Sequence, residues 1–360
     1  MQVFHKLADI PHDFGPSVAS VGNFDGVHRA HRAVIDEIVR RAQSAKAKSV
    51  VVTFEPHPAR ILRPDHDFKL LTPPPEKLSL LQNTALDAVL VLPFTRDLSL
   101  MTPHQFAHDI LKKKLHALEV HEGYNFHFGH KAQGTIQVLR ELGREMGFEV
   151  HDYPEMRLRG ERVSSTHIRK LLAEGRVSRA RHLLARPFSI LSTPGRGRGY
   201  GSKYTVPTIN LARYQELVPK DGVYITRTRI GKCGADTPVR EKPEGSSTLE
   251  EPTKSTGLTE KPNRVSTENP PEAECFDSLT NIGNRPTFGA DSFAIETHLL
   301  NFHPLELTAQ TEVELHFLDR LRDEIKFPSI EALKEQIGHD VQKAQKYLRR
   351  LGQTLLEQQR

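Results

Sequence analysis

The stretch Ser17–His31 reads SVASVGNFDGVHRAH: a short run of small and apolar residues, a turn flanked by Gly22 and Gly26, then two histidines three residues apart. The run fits the end of a buried strand, and the glycines let the backbone reverse tightly. Beyond the turn, Ala30, His31, Ala33, Val34, Ile35, Ile38 and Val39 recur at the spacing of one helix face. His28 and His31 therefore fall at a helix N-terminus, where unpaired N–H groups and the positive dipole end favour anions. An imidazole there can hydrogen-bond a phosphoryl oxygen and stabilise charge that builds on it during transfer. In a chain with 19 histidines an isolated H-x-x-H pair means little, so its surroundings decide the reading.

Those surroundings alternate strand-like and helix-like runs. SVVVTF (49–54) and AVLVLPF (88–94) are continuous apolar runs bounded by polar residues or proline, as in buried parallel strands. Lys77–Leu86 and Pro103–Leu115 carry helical spacing, the second with Thr102 as N-cap. Such alternation predicts an α/β doubly wound parallel sheet of the Rossmann-like kind, whose ligands sit outside the carboxyl ends of the strands. Residues 22–31, 55–58 and 123–129 would gather there.

After Arg186 the texture changes. FSIL, VPTINL, GVYITRTRI, CFDSLTNIG, FAIETHLL and TEVELHFL are short β-like pieces separated by turns, which predicts a mainly antiparallel β-barrel. A C-terminal helix follows from Ser329, its cap, with Ile330, Leu333, Ile337, Val341, Leu348 and Leu351 on one face. The boundaries expected are therefore 1–186 and 187–360, each able to bury its own core. Residues 232–274 fit neither half: six prolines, no aromatic residue and an excess of acidic over basic side chains predict a disordered insertion. Loop-closure cost rises slowly enough with length to tolerate it.

Composition excludes several classes. No stretch of the 360 residues approaches the uninterrupted apolar length of a membrane span, and MQVFHKLADIPHDF lacks the apolar core of a signal peptide, so a cytoplasmic protein is expected. Cys233 and Cys275 match no zinc or disulfide pattern and read as free thiols. A formal charge of +5 raises the question of nucleic acid, but basic and acidic residues are interspersed and no RNP-like aromatic run occurs. The mild positive bias suits phosphate ligands instead.

Two further strings carry chemistry. In VSSTHIRKLL (163–172), Ser164, Ser165 and Thr166 offer hydroxyls at a helix start, with Arg169 a turn further on. GRGRGYGSKY (195–204) is a glycine-rich loop, including Gly197 and Gly199, that can bring backbone N–H groups to phosphates.

Several of these strings resemble a known family. Gly22, Phe24, Asp25, Gly26, His28 and His31 match the G-x-F-D-G-x-H-x-G-H signature of small nucleotidyltransferases that transfer an adenylyl group from ATP, with Ala30 where that pattern has glycine. VSSTHIR resembles the I-S-S-T-x-I-R motif that closes the triphosphate site of the same enzymes. FEPHP (54–58) and GYNFHFGHKAQG (123–134) resemble the flavin-specific members, bacterial bifunctional riboflavin kinase/FAD synthetase. In the second string, alternation would put Tyr124, Phe126 and Phe128 on one face and Asn125 and His127 on the other. The C-terminal half adds VPTINL (206–211), similar to the P-T-x-N motif of riboflavin kinase, and NIGNRPTFG (281–289), AIETHLLNF (294–302) and LDRLRDEIKF (318–327), which match further strings of that family.

The resemblance implies two reactions: riboflavin and ATP to FMN and ADP in the barrel, then FMN and a second ATP to FAD and diphosphate in the first half. It implies His28 and His31 as catalytic, Gly22, Phe24, Asp25, Asn125, Ser164, Ser165, Thr166 and Arg169 on that ATP, and Phe54, Pro56, His57 and Pro58 on the flavin. For the kinase it implies Glu296 as general base, Gly197, Gly199, Thr208 and Asn210 on ATP, Thr208 and Asn210 also on Mg²⁺, and Arg285 and Arg322 on riboflavin. Partners would be riboflavin, FMN, FAD and ATP, with no membrane or nucleic acid, in a monomer or weak homo-oligomer. Departures at Ala30, Thr205, Val206 and Ile209 leave open the same fold with only the adenylyltransferase half active, or a nucleic-acid-binding or regulatory protein on this scaffold.

Overall fold

The computed structural model describes residues 1–195, 208–231, 273–284, 293–303 and 307–358. The first half runs β1 (Gln2–Phe4), β2 (Ser17–Val21), α1 (Arg29–Ala45), β3 (Lys48–Glu55), α2 (Pro58–Leu62), α3 (Pro74–Gln82), β4 (Ala88–Pro93), α4 (Arg96–Leu100), α5 (Pro103–Phe106) and β5 (Ala117–Gly123). A short ribbon of β6 (His127–Phe128) and β7 (Gly134–Thr135) follows, then α6 (Ile136–Met146) and β8 (Glu149–Tyr153). A second ribbon, β9 (Arg157–Leu158) and β10 (Glu161–Arg162), leads into α7 (Ser165–Ala173) and α8 (Val177–Leu184).

The main sheet has the order β1-β4-β3-β2-β5-β8, with every pair parallel. This is the doubly wound arrangement expected, with β2 central and the chain winding outward on both sides of it. The whole of SVASV in β2 is buried, as a strand covered on both faces must be. Ile35, Ile38 and Ala42 seat α1 on the sheet; each of the two isoleucines contributes about 1.5–3 kcal/mol through burial.

The second half contains β11 (Phe188–Ser192), β12 (Thr208–Asn210), β13 (Gly222–Ile230), β14 (Glu274–Asn284), β15 (Phe293–Leu299), β16 (Val313–Arg322) and α9 (Ile330–Gln358). Its strands pair antiparallel in the order β11-β16-β13-β14-β15-β12. The edges meet where Pro194 bridges Leu211 and Gly195 N–H donates to the Asn210 carbonyl at 2.8 Å, which joins the ends of the sheet into a barrel. One apolar cluster runs from α7 and α8 (Ile168, Leu172, Leu184) into the barrel (Phe188, Tyr224, Phe317). Two further clusters lie wholly within the first half and one wholly within the second, so each half has a core of its own and this cluster joins them.

Three local expectations shift. The second helix starts at Pro74 rather than Lys77, because Pro74 and Pro75 at the first turn supply the fixed φ that a helix start accepts. Thr102 caps as expected through a capping box with Gln105, but the helix passes into a π-helical stretch at Ala107–Lys112. Ser329 caps α9, yet Ile330 is 63% exposed; the helix is held on the barrel from Asp340 onward, with Ala344 and Leu348 in the apolar contact. Gly197, Gly199, Thr205, Val206, Arg285, Cys233 and nearly all of the proposed insertion lie outside the described residues, whereas Cys275 is a free, exposed cysteine.

Candidate active sites

At the carboxyl end of β2 the chain makes the tight turn that its glycines foretold. Gly22 N–H donates to the Val52 carbonyl at 2.9 Å, and Gly26 has φ +88°, with Leu71 Cδ1 only 2.9 Å from where a Cβ would stand. Both the left-handed backbone and the space demand glycine there. His28 is the N-cap of α1, its Nδ1 accepting from His31 N–H at 3.3 Å. That bond puts the His28 proton on Nε2. The His28 and His31 rings stack at 3.6 Å between centroids, and Phe24 closes against His31 at 5.0 Å.

Burial lowers the His28 pKa to about 4, helped by Arg186 and Arg169. Burial lowers that of His31 well below the ordinary value as well, with the neighbouring His28 and Lys77 adding to it. Both rings are therefore neutral at pH 7. His31 Nδ1 is buried with no hydrogen-bond partner among the described residues, a polar atom at the start of α1 with its capacity unused.

Asp25 is turned toward the protein. It is 3% exposed, and its carboxylate accepts from Leu71 N–H at 3.1 Å, from Thr72 N–H at 3.0 Å and from the Arg169 guanidinium. Its oxygens face protein donors, so it ties the first motif to the second instead of presenting charge to a ligand. Ser165 strengthens the tie by donating to the Asp25 carbonyl at 2.9 Å, while Ser164 caps α7 and Thr166 is exposed. Arg186 donates to the Gly26 carbonyl at 2.8 Å. Two motifs about 140 residues apart in sequence thus form one framework.

The flavin-like string joins the same framework. Glu55–Pro56 is a cis peptide, Pro58 opens α2, and His57 caps that helix by accepting from Ala59 N–H at 3.1 Å. His57 stacks on Phe68 at 4.4 Å, and the Arg169 guanidinium lies over the Phe68 ring at 4.5 Å. Burial, then Arg169, Lys77 and Arg60, lower the His57 pKa to about 3. Phe54 packs edge-on against Phe94 at 5.6 Å. Phe68 and Lys77 were missed by sequence reading, since neither belongs to a motif. Asn125 is exposed at a turn closed by Phe126 N–H to the Gly123 carbonyl at 2.9 Å. That turn breaks the expected alternation: Phe126 and Phe128 stack at 5.3 Å, while Tyr124 is exposed.

In the barrel, Asn210 stands directly opposite Glu296, and Glu296 directly opposite Asn281. Residues paired across strands share a face, so the three form a row, with Thr208 two positions along on the same face as Asn210. Ile209 points the other way into the core at 5% exposure, which is why a large residue is tolerated there. Asn281 Oδ1 is buried without a partner among the described residues. Arg322 pairs with the buried Asp340 of α9 at 2.8 Å, so its guanidinium is tied to the helix. The oxygens of Thr208 and Asn210 are hard donors of the kind a divalent metal takes.

Among the described residues one group of side chains, Glu119, His121 and His151, has metal-ligand spacing. Arg41 already donates to Glu119 at 2.7 Å and reaches His151 Nε2 at 3.3 Å, and Tyr153 hydroxyl bonds His121 Nδ1 at 2.6 Å. The guanidinium supplies the cation, and the network is complete without an ion.

A parallel sheet with a histidine pair at the first strand-to-helix turn, joined to an antiparallel barrel with a carboxylate-amide row, defines a two-part nucleotide-dependent transferase. Family models agree: FAD synthetase matches residues 10–167, and riboflavin kinase matches residues 184–348. The bifunctional riboflavin kinase/FMN adenylyltransferase of Pseudomonas fluorescens is 30% identical over 348 residues, covering 95% of this chain and 96% of the relative. That of Escherichia coli K12 is 29% identical over 336 residues, covering 93% of each. The chain belongs to the bifunctional riboflavin kinase/FMN adenylyltransferase family. A crystal structure described as a macrolide-efflux protein from Streptococcus pneumoniae superposes with TM-score 0.76 at 22% identity, over 95% of this chain and 98% of that one; it shares the fold.

Proposed function

We propose that the chain phosphorylates riboflavin with ATP in the barrel and adenylylates FMN with a second ATP at the carboxyl edge of the parallel sheet. The observation that carries this reading is the stacked, neutral His28–His31 pair with an unpartnered ring nitrogen at the N-terminus of α1. In the adenylyl step an FMN phosphate oxygen attacks the α-phosphorus of ATP, the α–β bridging bond breaks, and diphosphate leaves. His28 donates from Nε2 to a phosphoryl oxygen, and the helix N-terminus adds its dipole. No side-chain nucleophile is needed. Ser165 and Arg169 set the position of the turn through Asp25, and His57 and Phe68 offer an aromatic wall to the flavin.

In the kinase step Glu296 accepts the proton of the ribityl hydroxyl as that oxygen attacks the γ-phosphorus, and ADP leaves. Thr208 and Asn210 would hold Mg²⁺, which when bound neutralises charge on the phosphates. We also assign the enzyme to the cytoplasm, where ATP is supplied, and cell fractionation tests that placement. Among the described residues no helix is long and apolar enough to cross a membrane. Purified protein given riboflavin, ATP and Mg²⁺ is expected to release FMN first and FAD second. Formation of neither product overturns the proposal; FAD from supplied FMN with none from riboflavin restricts it to the first half.

A further inference from the structure

Lys77 is a buried cation beside the adenylyl site that the mechanism above does not use. It is 6% exposed, on the first turns of α3. Its ammonium donates to Thr53 Oγ1 at 3.0 Å and, over longer bonds of 3.4 Å, to the carbonyls of Asn23 and Phe54. Thr53 Oγ1 in turn donates to the Asn23 carbonyl at 3.1 Å. Asn23 belongs to the turn that carries His28, and Phe54 opens the FEPHP string, so one side chain joins the nucleotide turn to the flavin turn. Among the described residues no carboxylate oxygen lies within 4 Å of the ammonium; its nearest influences of opposite sign, Glu55 and Asp25, act at longer range.

A buried charge held only by neutral acceptors costs several kcal/mol relative to water, unless a counter-charge arrives. Phosphates are that counter-charge at this site. We propose that Lys77 is a positioning residue of the adenylyl site: it fixes the His28 turn against the Phe54 turn and holds there a positive charge, with no carboxylate in direct contact, that the converging phosphates of ATP and FMN neutralise on binding. This inference rests on the adenylyl-transfer reading. The price of an unpaired cation in the free enzyme is returned when the anionic substrates bind, which trades stability for affinity. Its place at the tips of β2 and β3 explains why the sequence alone hid it: Lys77 lies in no motif and reaches the turns across 23 to 54 residues.

The test compares Lys77→Met and Lys77→Gln with the parent, using FMN as supplied substrate to read the first half and riboflavin phosphorylation as the internal control. Expected are a melting temperature without ligand at or above that of the parent in the Met variant, and a KM for ATP in FAD formation raised at least tenfold in both variants. Turnover at saturation should change less than threefold, and riboflavin phosphorylation should be unaffected. The inference is overturned if Lys77→Met melts well below the parent or fails to fold, or if Lys77→Gln keeps the parental KM. If the parent itself makes no FAD from FMN, the functional reading fails instead.

Discussion

The two proposed reaction centres are built on opposite principles. At the adenylyl site, side chains from loops and helix caps grip one another: Asp25 holds Leu71, Thr72 and Arg169, while His28 caps the helix on which His31 stacks. At the kinase site, Asn210, Glu296 and Asn281 stand side by side because three strands put them in register. The first geometry depends on long-range side-chain bonds, so one substitution can loosen the whole site. The second depends on backbone pairing, so a side-chain substitution removes its own chemistry and little else.

The largest expected effect tests whether the centres are independent. His28→Ala should lower FAD formation from FMN by about a hundredfold to a thousandfold while FMN formation from riboflavin stays within about twofold; Glu296→Ala should do the reverse. These sizes follow from losing a charge-stabilising donor in one site and a general base in the other. Separate assays with FMN or riboflavin supplied as substrate decide it, and equal losses in both assays for either variant would contradict two separate centres.

The next effect tests the difference in construction. Asp25→Ala leaves Arg169 without its carboxylate in a partly buried position and frees the N–H groups of Leu71 and Thr72, so unfolding in urea should show a loss of about 3 kcal/mol or more. Glu296→Gln keeps shape and hydrogen-bonding capacity in the strand row and should shift stability by no more than about 0.5 kcal/mol. If both variants lose similar stability, the contrast between a gripped loop site and a strand-aligned site is wrong.

The same contrast explains what was legible in the sequence. The doubly wound sheet and the antiparallel strands were readable because apolar runs report burial locally. The glycine turn was too, since Gly26 has to be glycine wherever the chain turns that way. The placement of His28 and His31 at a helix start was legible because their spacing is set by the helix they begin. Lys77, Phe68 and Thr72 escaped because each meets the site from an element distant in sequence, and no local pattern encodes such a meeting. The inward bonds of Asp25 to Leu71, Thr72 and Arg169 were not legible, since a motif marks a position without saying which way the side chain faces. Tyr124 was misread for a related reason: period-two alternation assumes an extended chain, and the turn after Gly123 ends it. Exposed Ile330 shows the converse, an apolar face continuing along a helix past the surface it packs on.

A smaller effect lies on the boundary between the halves. Glu76 of α3 accepts from Ser189 of β11 at 2.8 Å, and its other carboxylate oxygen is buried without a partner. Burial raises its pKa from 4.5 to about 7, although the Ser189 bond and Arg186 oppose the shift. The folded protein therefore holds a proton that the unfolded chain has released, and this contribution is complete below pH 4.5 and lost as the pH rises through about 7. Glu76→Gln, which stays neutral, should melt a few degrees above the parent at pH 8 and within a degree or so of it at pH 5. Parallel melting curves across that range would remove Glu76 as a titrating contact between the halves.

The smallest effect concerns Ala30, where the family signature has glycine. Its methyl is partly buried against the apolar cluster that joins α7 and α8 to the barrel, so it packs in the shared core beneath the helix start. Had the methyl pointed at the His28–His31 rings, Ala30→Gly would relieve crowding and lower the KM for ATP in FAD formation. With the methyl in the core, the substitution removes a small apolar contact and adds backbone freedom at the second residue of α1, at a cost of about 1 kcal/mol or less. The KM for ATP should then move by less than threefold while the melting temperature falls slightly. A fall in KM without loss of stability would place the methyl against the nucleotide, and the packing seen for α1 would have to be revised.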